Sequence, residues 1–214
     1  MKARIVRPEI LDHLPAADPA AMRSRRDLRR INSLMGNERW ICRTVRAFGK
    51  NAARGIVELG AGDGTLAARL ANLFPQTTIT ACDLAPRPDG LDERVRWRTG
   101  DILSDEKPSG GGVLVANLFL HHFEGESLRR IGKLCTGFDV LVFSEPDRKM
   151  LPHALGFLMW PFINRVTRHD MHVSIDAGFA AGELPRLLAL DDGEWRFRET
   201  STWRGARRVL GWRA

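Results

Sequence analysis

A chain of 214 residues with 43% hydrophobic and 28% charged residues is long enough to bury one full core and has the balance of an ordinary globular domain. The net charge of +7 points to nucleic acid, anionic lipid or acidic partners, but the basic residues fall in scattered pairs (Arg25-Arg26, Arg29-Arg30, Arg129-Arg130, Arg207-Arg208), which argues against nucleic acid as the main partner. No apolar run approaches the ~20 residues of a membrane span, Met1 to Pro8 holds no apolar stretch of signal-peptide length, and Cys42, Cys82 and Cys135 are odd in number and far apart. The expectation is a cytoplasmic protein without a transmembrane segment, a disulfide framework or a zinc site; its oligomeric state is not legible.

Residues 1–19, with Pro8, Pro15 and Pro19, read as an irregular arm. From about Ala20 the spacing of Met22, Leu28, Ile31 and Leu34/Met35 predicts a helix, broken at Gly36-Asn37. Trp40/Ile41, Val45 and Phe48 predict a second helix ending near Gly49. Strand and helix then alternate: a strand at 54–59, a helix at 65–74 closed by Pro75, and strands at 77–82 and 95–99. A polar, glycine-rich connection at 104–112 precedes a strand at 113–116. A helix at 124–135 with Leu128, Ile131 and Leu134/Cys135 inward precedes a strand at 138–143. That alternation implies a parallel sheet with helices on both faces. Residues 150–166 are apolar but interrupted by Pro152 and Pro161, and read as a lid over a hydrophobic substrate or simply as packing. A helix at 183–190 and two strands, 195–202 and 206–213, close the chain.

The chemistry begins at the first strand. Ile56-Val57-Glu58-Leu59 runs into Gly60-Ala61-Gly62-Asp63-Gly64-Thr65. Glycines at such a turn accept positive φ and let a ligand approach bare backbone, while the next helix points free N–H groups at the turn. The third glycine of the dinucleotide fingerprint G-x-G-x-x-G is missing, since Thr65 stands there. The stretch Val57-Glu58-Leu59-Gly60-Ala61-Gly62-Asp63-Gly64 instead resembles the first motif of the class I S-adenosylmethionine (SAM)-dependent methyltransferases, [VI]-[LVI]-[ED]-x-G-x-G-x-G. The resemblance covers about residues 50–213.

It implies a Rossmann-like, doubly wound α/β sheet of seven strands with an antiparallel C-terminal hairpin. Residues 1–50 become an arm and cover helices, and 51–214 the SAM-binding part, as one structural unit. SAM is the implied cofactor, held by Glu58, Gly60, Ala61, Gly62, Asp83, Leu84, Asp101, Ile102 and Asn117. By position, Asp83 takes the ribose hydroxyls and Asp101, in Gly100-Asp101-Ile102, the adenine amino group. Asn117-Leu118-Phe119-Leu120 lacks the prolines of amino-methylating nucleic-acid enzymes, which favours a small-molecule acceptor.

His121 and His122 follow directly, where an acceptor should meet the methyl group, and are candidate catalytic residues: an imidazole near its ordinary pKa can take a proton from a phenol or acid. With no paired carboxylates nearby in sequence, no metal is expected. Glu145, at the end of a strand, His169 and Asp170 are candidate substrate contacts. Both Arg168-His169-Asp170…Gly178-Phe179 and Asp27-Leu28-Arg29-Arg30-Ile31-Asn32 resemble the bacterial subgroup found beside type III polyketide synthases. The function implied is O-methylation of a small, partly apolar phenolic or polyketide-type molecule. Two other readings are an RNA or other nucleic-acid methyltransferase, and a non-catalytic SAM-binding regulatory module.

Overall fold

The computed structural model describes residues 3–15, 17–104, 108, 110–190 and 193–214. Residues 105–107 and 109, within the connection expected at 104–112, lie outside that set, as do 1, 2, 16, 191 and 192. An arm carrying a short helix α1 (Ile10–His13) leads into α2 (Pro19–Met35), α3 (Asn37–Ala47) and α4 (Gly49–Ala52). The alternating part follows as β1 (Ile56–Leu59), α5 (Thr65–Leu73), β2 (Ile79–Asp83), β3 (Val95–Thr99), β4 (Val113–Asn117), α6 (Gly125–Cys135) and β5 (Val140–Pro146). The chain then runs through α7 (Met150–Met159), α8 (Arg165–Ala177) and α9 (Glu183–Leu187) to the hairpin β6 (Trp195–Ser201) and β7 (Ala206–Arg213).

The seven strands form one sheet in the order β3-β2-β1-β4-β5-β7-β6. The first five are parallel; β7 runs antiparallel to both β5 and β6. The strand order reverses between β1 and β4, paired from Ile56↔Val113 to Leu59↔Ala116. In an open parallel sheet that reversal leaves a crevice beyond the carboxyl ends, where ligands bind.

Every residue of β1 and β5 is buried, as expected where helices cover both faces. Alternate side chains divide between two cores. Val57, Leu59, Leu114 and Phe143 pack with Leu128 and Ile131 of α6 and Leu184 of α9. Ile56, Val113 and Val115 pack with Leu66 and Leu70 of α5 and with Ile41 and Val45 of α3. Of the helices expected as a cover ahead of the sheet, α3 thus shares its core.

Each helix end has a local cause. Asp18 accepts from the Ala20 and Ala21 N–H groups to cap α2, with Pro19 in its first turn. Gly36, at φ 70°, ends it. The region 150–166 is helical from its start, with Pro152 in a first turn where no N–H is missed. Its Met150, Leu151, Phe157, Leu158 and Phe162 are exposed. The segment 165–177, given no secondary structure from its sequence, is the helix α8, whose N-cap Asn164 accepts from Thr167 N. Asp27 is buried where α2 crosses α8, accepting from Asn164 N at 2.9 Å and from the Thr167 hydroxyl at 3.3 Å. Among the described residues, no helix is long and apolar enough to cross a membrane.

Helices α6 and α9 meet at Gly132, where an added Cβ would lie 1.8 Å from the Leu188 carbonyl oxygen. Gly132→Ala should therefore destabilise the protein by about 1–3 kcal/mol through overpacking, read from urea melts. Gly49→Ala, with open space and an ordinary φ at the start of α4, should be neutral or stabilising. Equal melts for the two variants would refute the close helix contact.

Candidate active site

The glycine turn sits at the carboxyl end of β1, beside the crevice. Gly60 has φ +65°, and a Cβ there would lie 2.1 Å from the ring of Phe119. Gly62, at φ +57°, has nothing within 4 Å of where its Cβ would be. One glycine lets an aromatic ring close down on the strand end; the other leaves bare backbone open to a ligand.

Asp83, at the end of β2, fixes this turn: its Oδ2 accepts from Gly62 N at 2.7 Å and its Oδ1 from Ala85 N at 2.9 Å. A cleft of about 320 Å³ continues along Cys82, Asp83, Leu84, Gly100, Asp101, Ile102, Leu103, Phe119 and Phe123. It falls at the small end of the ligand-pocket range. Phe119 and Phe123 meet edge to face at 5.0 Å, and Asp101 steadies its own loop by accepting from Leu103 N at 2.8 Å. Five residues assigned from the sequence to the cofactor (Asp83, Leu84, Asp101, Ile102 and, through its ring contact, Gly60) therefore share one space. A second hollow, of about 350 Å³ between Trp40 of α3, Phe48 just beyond it, and Thr200, Leu210 and Trp212 of the hairpin, has Arg198 as the one charged side chain in its lining. It lacks the carboxylates of the first.

On the other side of the turn lie polar groups with unmet demand. Glu58 is buried, and its Oε2 has no hydrogen-bond partner within the protein. Burial first, and then the nearby Glu38, Asp63 and Asp83, push its pKa well above the ordinary carboxylate range. Asn117 Oδ1 is likewise buried and unpartnered, while its Nδ2 donates to Asn32 Oδ1 at 3.4 Å. Asn32 Nδ2 in turn donates to Glu38 Oε1 at 3.2 Å. Buried polar atoms are rarely left unpaired, so these oxygens fit a ligand rich in donors, such as an ammonium group. The resemblance named Glu58 and Asn117; Glu38 carried no sequence signal, and Asn32 lay in a polar run that equally suits a solvated helix face.

After β4 the chain turns sharply. Leu118 adopts φ 55°, a left-handed conformation costly for a side-chain-bearing residue. Its N–H is held by Ser144 O at 2.7 Å, and residues 120–122 form a short 3-10 turn. Glu145 organises this turn. Its Oε1 accepts from Phe119 N at 3.1 Å and Leu120 N at 2.9 Å; its Oε2 accepts from His121 N at 3.3 Å and contacts His121 Nδ1 at 2.9 Å. Glu145 was expected to face the crevice and meet substrate. It is fully buried, and both oxygens are taken by the protein, so it positions the turn instead.

The two histidines differ. His121 is buried, with Nδ1 on Glu145 and Nε2 3.7 Å from Glu9 Oε1. Burial by itself would lower its pKa, but the bond to Glu145 and the proximity of Glu9 outweigh it and raise it to about 9. His122 is exposed; partial desolvation, and then the charge of His121, lower its pKa. At neutral pH His121 is a cation locked between carboxylates, whereas His122 is neutral and open.

The arm supplies what sequence reasoning missed. Arg4 donates from Nε to Ala177 O at 2.7 Å and from Nη2 to His121 O at 2.9 Å and Phe123 O at 2.8 Å. Its guanidinium lies 4.5 Å over the ring of Phe179. Asp170 is fully buried and accepts from Ile10 N and Leu11 N at 2.8 and 3.0 Å, as well as contacting His169 Nδ1 at 2.9 Å. It anchors the start of α1 and has no oxygen facing open space, contrary to the expected substrate contact; His169 remains exposed. The sequence shows no paired carboxylates near the histidines, but the fold brings two to them. Glu9 and Glu145 reach them from 112 and 24 residues away from His121.

The strand order, the crevice at the reversal and the glycine turn define the fold of a class I SAM-dependent methyltransferase. No family model matches the chain. It is 35% identical over 123 residues to proteins of Mycobacterium bovis and Mycobacterium tuberculosis named uncharacterized methyltransferases. The match covers 52% of this chain and spans 62% of the length of those relatives. Among solved structures, the plantazolicin methyltransferase BpumL in complex with SAH superposes with a TM-score of 0.72 at 10% identity, covering 92% of this chain and 91% of that one. Magnesium protoporphyrin IX methyltransferase (ChlM) from Synechocystis PCC 6803 with bound SAH gives 0.57 at 15% identity, covering 84% of each chain. The pyocyanin biosynthetic protein PhzM gives 0.61 at 20% identity, covering 95% of this chain and 60% of that one.

Gly60→Ala should drive the Phe119 ring from the strand end, and Asp83→Ala should remove the acceptor that sets Gly62. Each should weaken SAM binding by roughly 10–100-fold, the worth of one or two charge-assisted hydrogen bonds. Isothermal calorimetry measures this directly; wild-type affinity in both variants would refute the cradle.

Proposed function

We propose that the chain transfers a methyl group from SAM to an oxygen of a small, partly apolar acceptor such as a phenolic, polyketide-type molecule. The observation that carries this is the bare Gly62 backbone, flanked by the Asp83–Asp101 cleft on one side and the unpartnered Glu58 and Asn117 oxygens on the other. The methyltransferase names of the mycobacterial relatives and the SAH-bound neighbours of the same fold support the reading. The sulfonium supplies an electrophilic methyl group and leaves as a neutral thioether.

Little is asked of the protein beyond alignment, exclusion of water and a destination for the acceptor's proton. Asp83 and Asp101 would hold the ribose and adenine ends, and Glu58 with Asn117 the ammonium end. Phe119 and Phe123 give the cleft an apolar wall. His122, neutral and exposed beside the turn, would receive the proton; His121, already protonated, is poorly suited to do so. The exposed apolar side chains of α7 and the residues after it suit a lid that shields the acceptor.

Isotope-labelled SAM offered with a panel of phenols, alkyl-substituted polyketides and bulk RNA should label an oxygen of a phenolic compound. His122→Ala should then lower kcat by about 100-fold or more, with SAM affinity unchanged. Label in RNA alone would replace the small-molecule reading, and label nowhere would favour a regulatory SAM-binding module.

A further inference from the structure

We infer that Glu9, His121 and His122 form a binding site for a divalent transition-metal ion of the zinc class. This inference deepens the acceptor half of the proposed reaction and, for its catalytic role, rests on that reading. One ligand atom from each of the three residues lies within 4.8 Å of the other two. The chemistry is two imidazoles and one carboxylate, a donor set suited to zinc, cobalt or iron(II) rather than magnesium or calcium.

Two distances distinguish this arrangement from an ordinary ion pair. His121 Nε2 and Glu9 Oε1 are 3.7 Å apart. That is well beyond the ~2.7–2.9 Å of a charge-assisted hydrogen bond. It is close to the roughly 3.3 Å separating two ligand atoms that each lie about 2.0–2.1 Å from a shared ion at a tetrahedral angle. On the far side of the same ring, Nδ1 lies 2.9 Å from the buried Glu145. A carboxylate behind the ring holds the proton on Nδ1 and turns Nε2 toward Glu9, so an ion that displaces the Nε2 proton meets the geometry that metal-binding histidines use.

The site is also built to keep its shape. Glu9 is buried and bonded to the Ser174 hydroxyl on α8. Asp170 anchors the helix that follows Glu9, and Arg4 ties the arm to the carbonyls of His121 and Phe123. His122 already places a ring nitrogen within the cluster although the residue is exposed, and Asp12 lies close enough to interact with both His122 and Glu9. Two buried carboxylates, Glu9 and Glu145, flank the one imidazole, a setting that suits a cation.

An open coordination position would face the acceptor past His122. The acceptor hydroxyl would bind the ion through oxygen and release its proton to solvent, because a bound cation lowers the pKa of such a group. The oxygen lone pair then forms the new O–CH3 bond as the S–CH3 bond breaks, with that electron pair passing to sulfur. The ion would thus do what a lone His122 does in its absence.

The test uses tag-free, chelator-stripped protein titrated with Zn2+ alone by calorimetry, and with Co2+ alone by visible absorption. One ion per chain is expected, with Co2+ bands indicating nitrogen ligands and no competition from Mg2+. His122→Ala, a change at an exposed position, and Glu9→Gln should each weaken binding at least by the roughly 10–100-fold that loss of an outer-shell partner costs. Absence of saturable binding, or equal affinity in wild type and both variants, would overturn the site and leave the Glu9–His121–Glu145 array as a purely structural ion pair. Calorimetry with SAM on the same samples reads the methyltransferase proposal separately. Metal binding without SAM binding upholds the ion site and refutes the reaction; SAM binding without metal binding overturns the ion site and leaves the reaction to the labelling experiment.

Discussion

The turn after β4 depends on one buried carboxylate. Glu145, on β5, accepts the N–H groups of Phe119, Leu120 and His121 and touches the His121 ring. Those groups would otherwise be orphaned at the head of a short 3-10 turn, inside the protein, where each lost bond costs about 1–3 kcal/mol. With them satisfied, the strained Leu118 can persist, and the chain bends far enough for Phe119 to reach Gly60. The cleft wall, the burial of His121 and the exposure of His122 all follow from that bend. A neutral side chain of the same shape has too few acceptors for this set of donors.

The parallel part of the fold is legible in the sequence because its signals are local. An apolar four-residue strand, three glycines and an amphipathic helix follow one another within β1–α5, and Leu128, Ile131 and Leu134 mark the inner face of α6 at helical spacing. Asp83 is legible for a related reason: in a parallel sheet the end of β2 must lie beside the end of β1, so a carboxylate there meets the glycine turn. Glu145 shows where this logic stops. Its position at a strand end was readable, but its direction was not. Alternation places a side chain on one face or the other without saying whether the space there is crevice or packed turn.

Asp170 and Glu9 fail to be legible for another reason. Their partners are 160 and 112 residues away along the chain, in Ile10 and His121. No periodicity or spacing encodes such a contact; it arises from the arm crossing α8. Asp170 looked like a free acid beside a histidine, yet its energy goes into capping the backbone of α1. Asp27, in a run that resembled a functional motif, is likewise spent on the joint between α2 and α8. Polar residues in short clusters are as often the mortar of helix packing as they are ligand contacts, and burial of their partners is what separates the two.

The division of labour also explains how the fold can persist at 10–20% identity to its structural neighbours. The cradle is made largely of main chain: the φ of Gly60 and Gly62, the N–H of Gly62 and the register of β1 against β2 and β4. Main-chain geometry tolerates wide change in the side chains around it. The other end is made of side chains carried on the arm, the 3-10 turn and α8, with Arg4, Glu9, His121 and Ser174 gathered from three separate segments. A site assembled that way can be altered without disturbing the sheet. What is peculiar to this chain is therefore to be sought at the arm, and what it shares with its neighbours is the fold of the sheet.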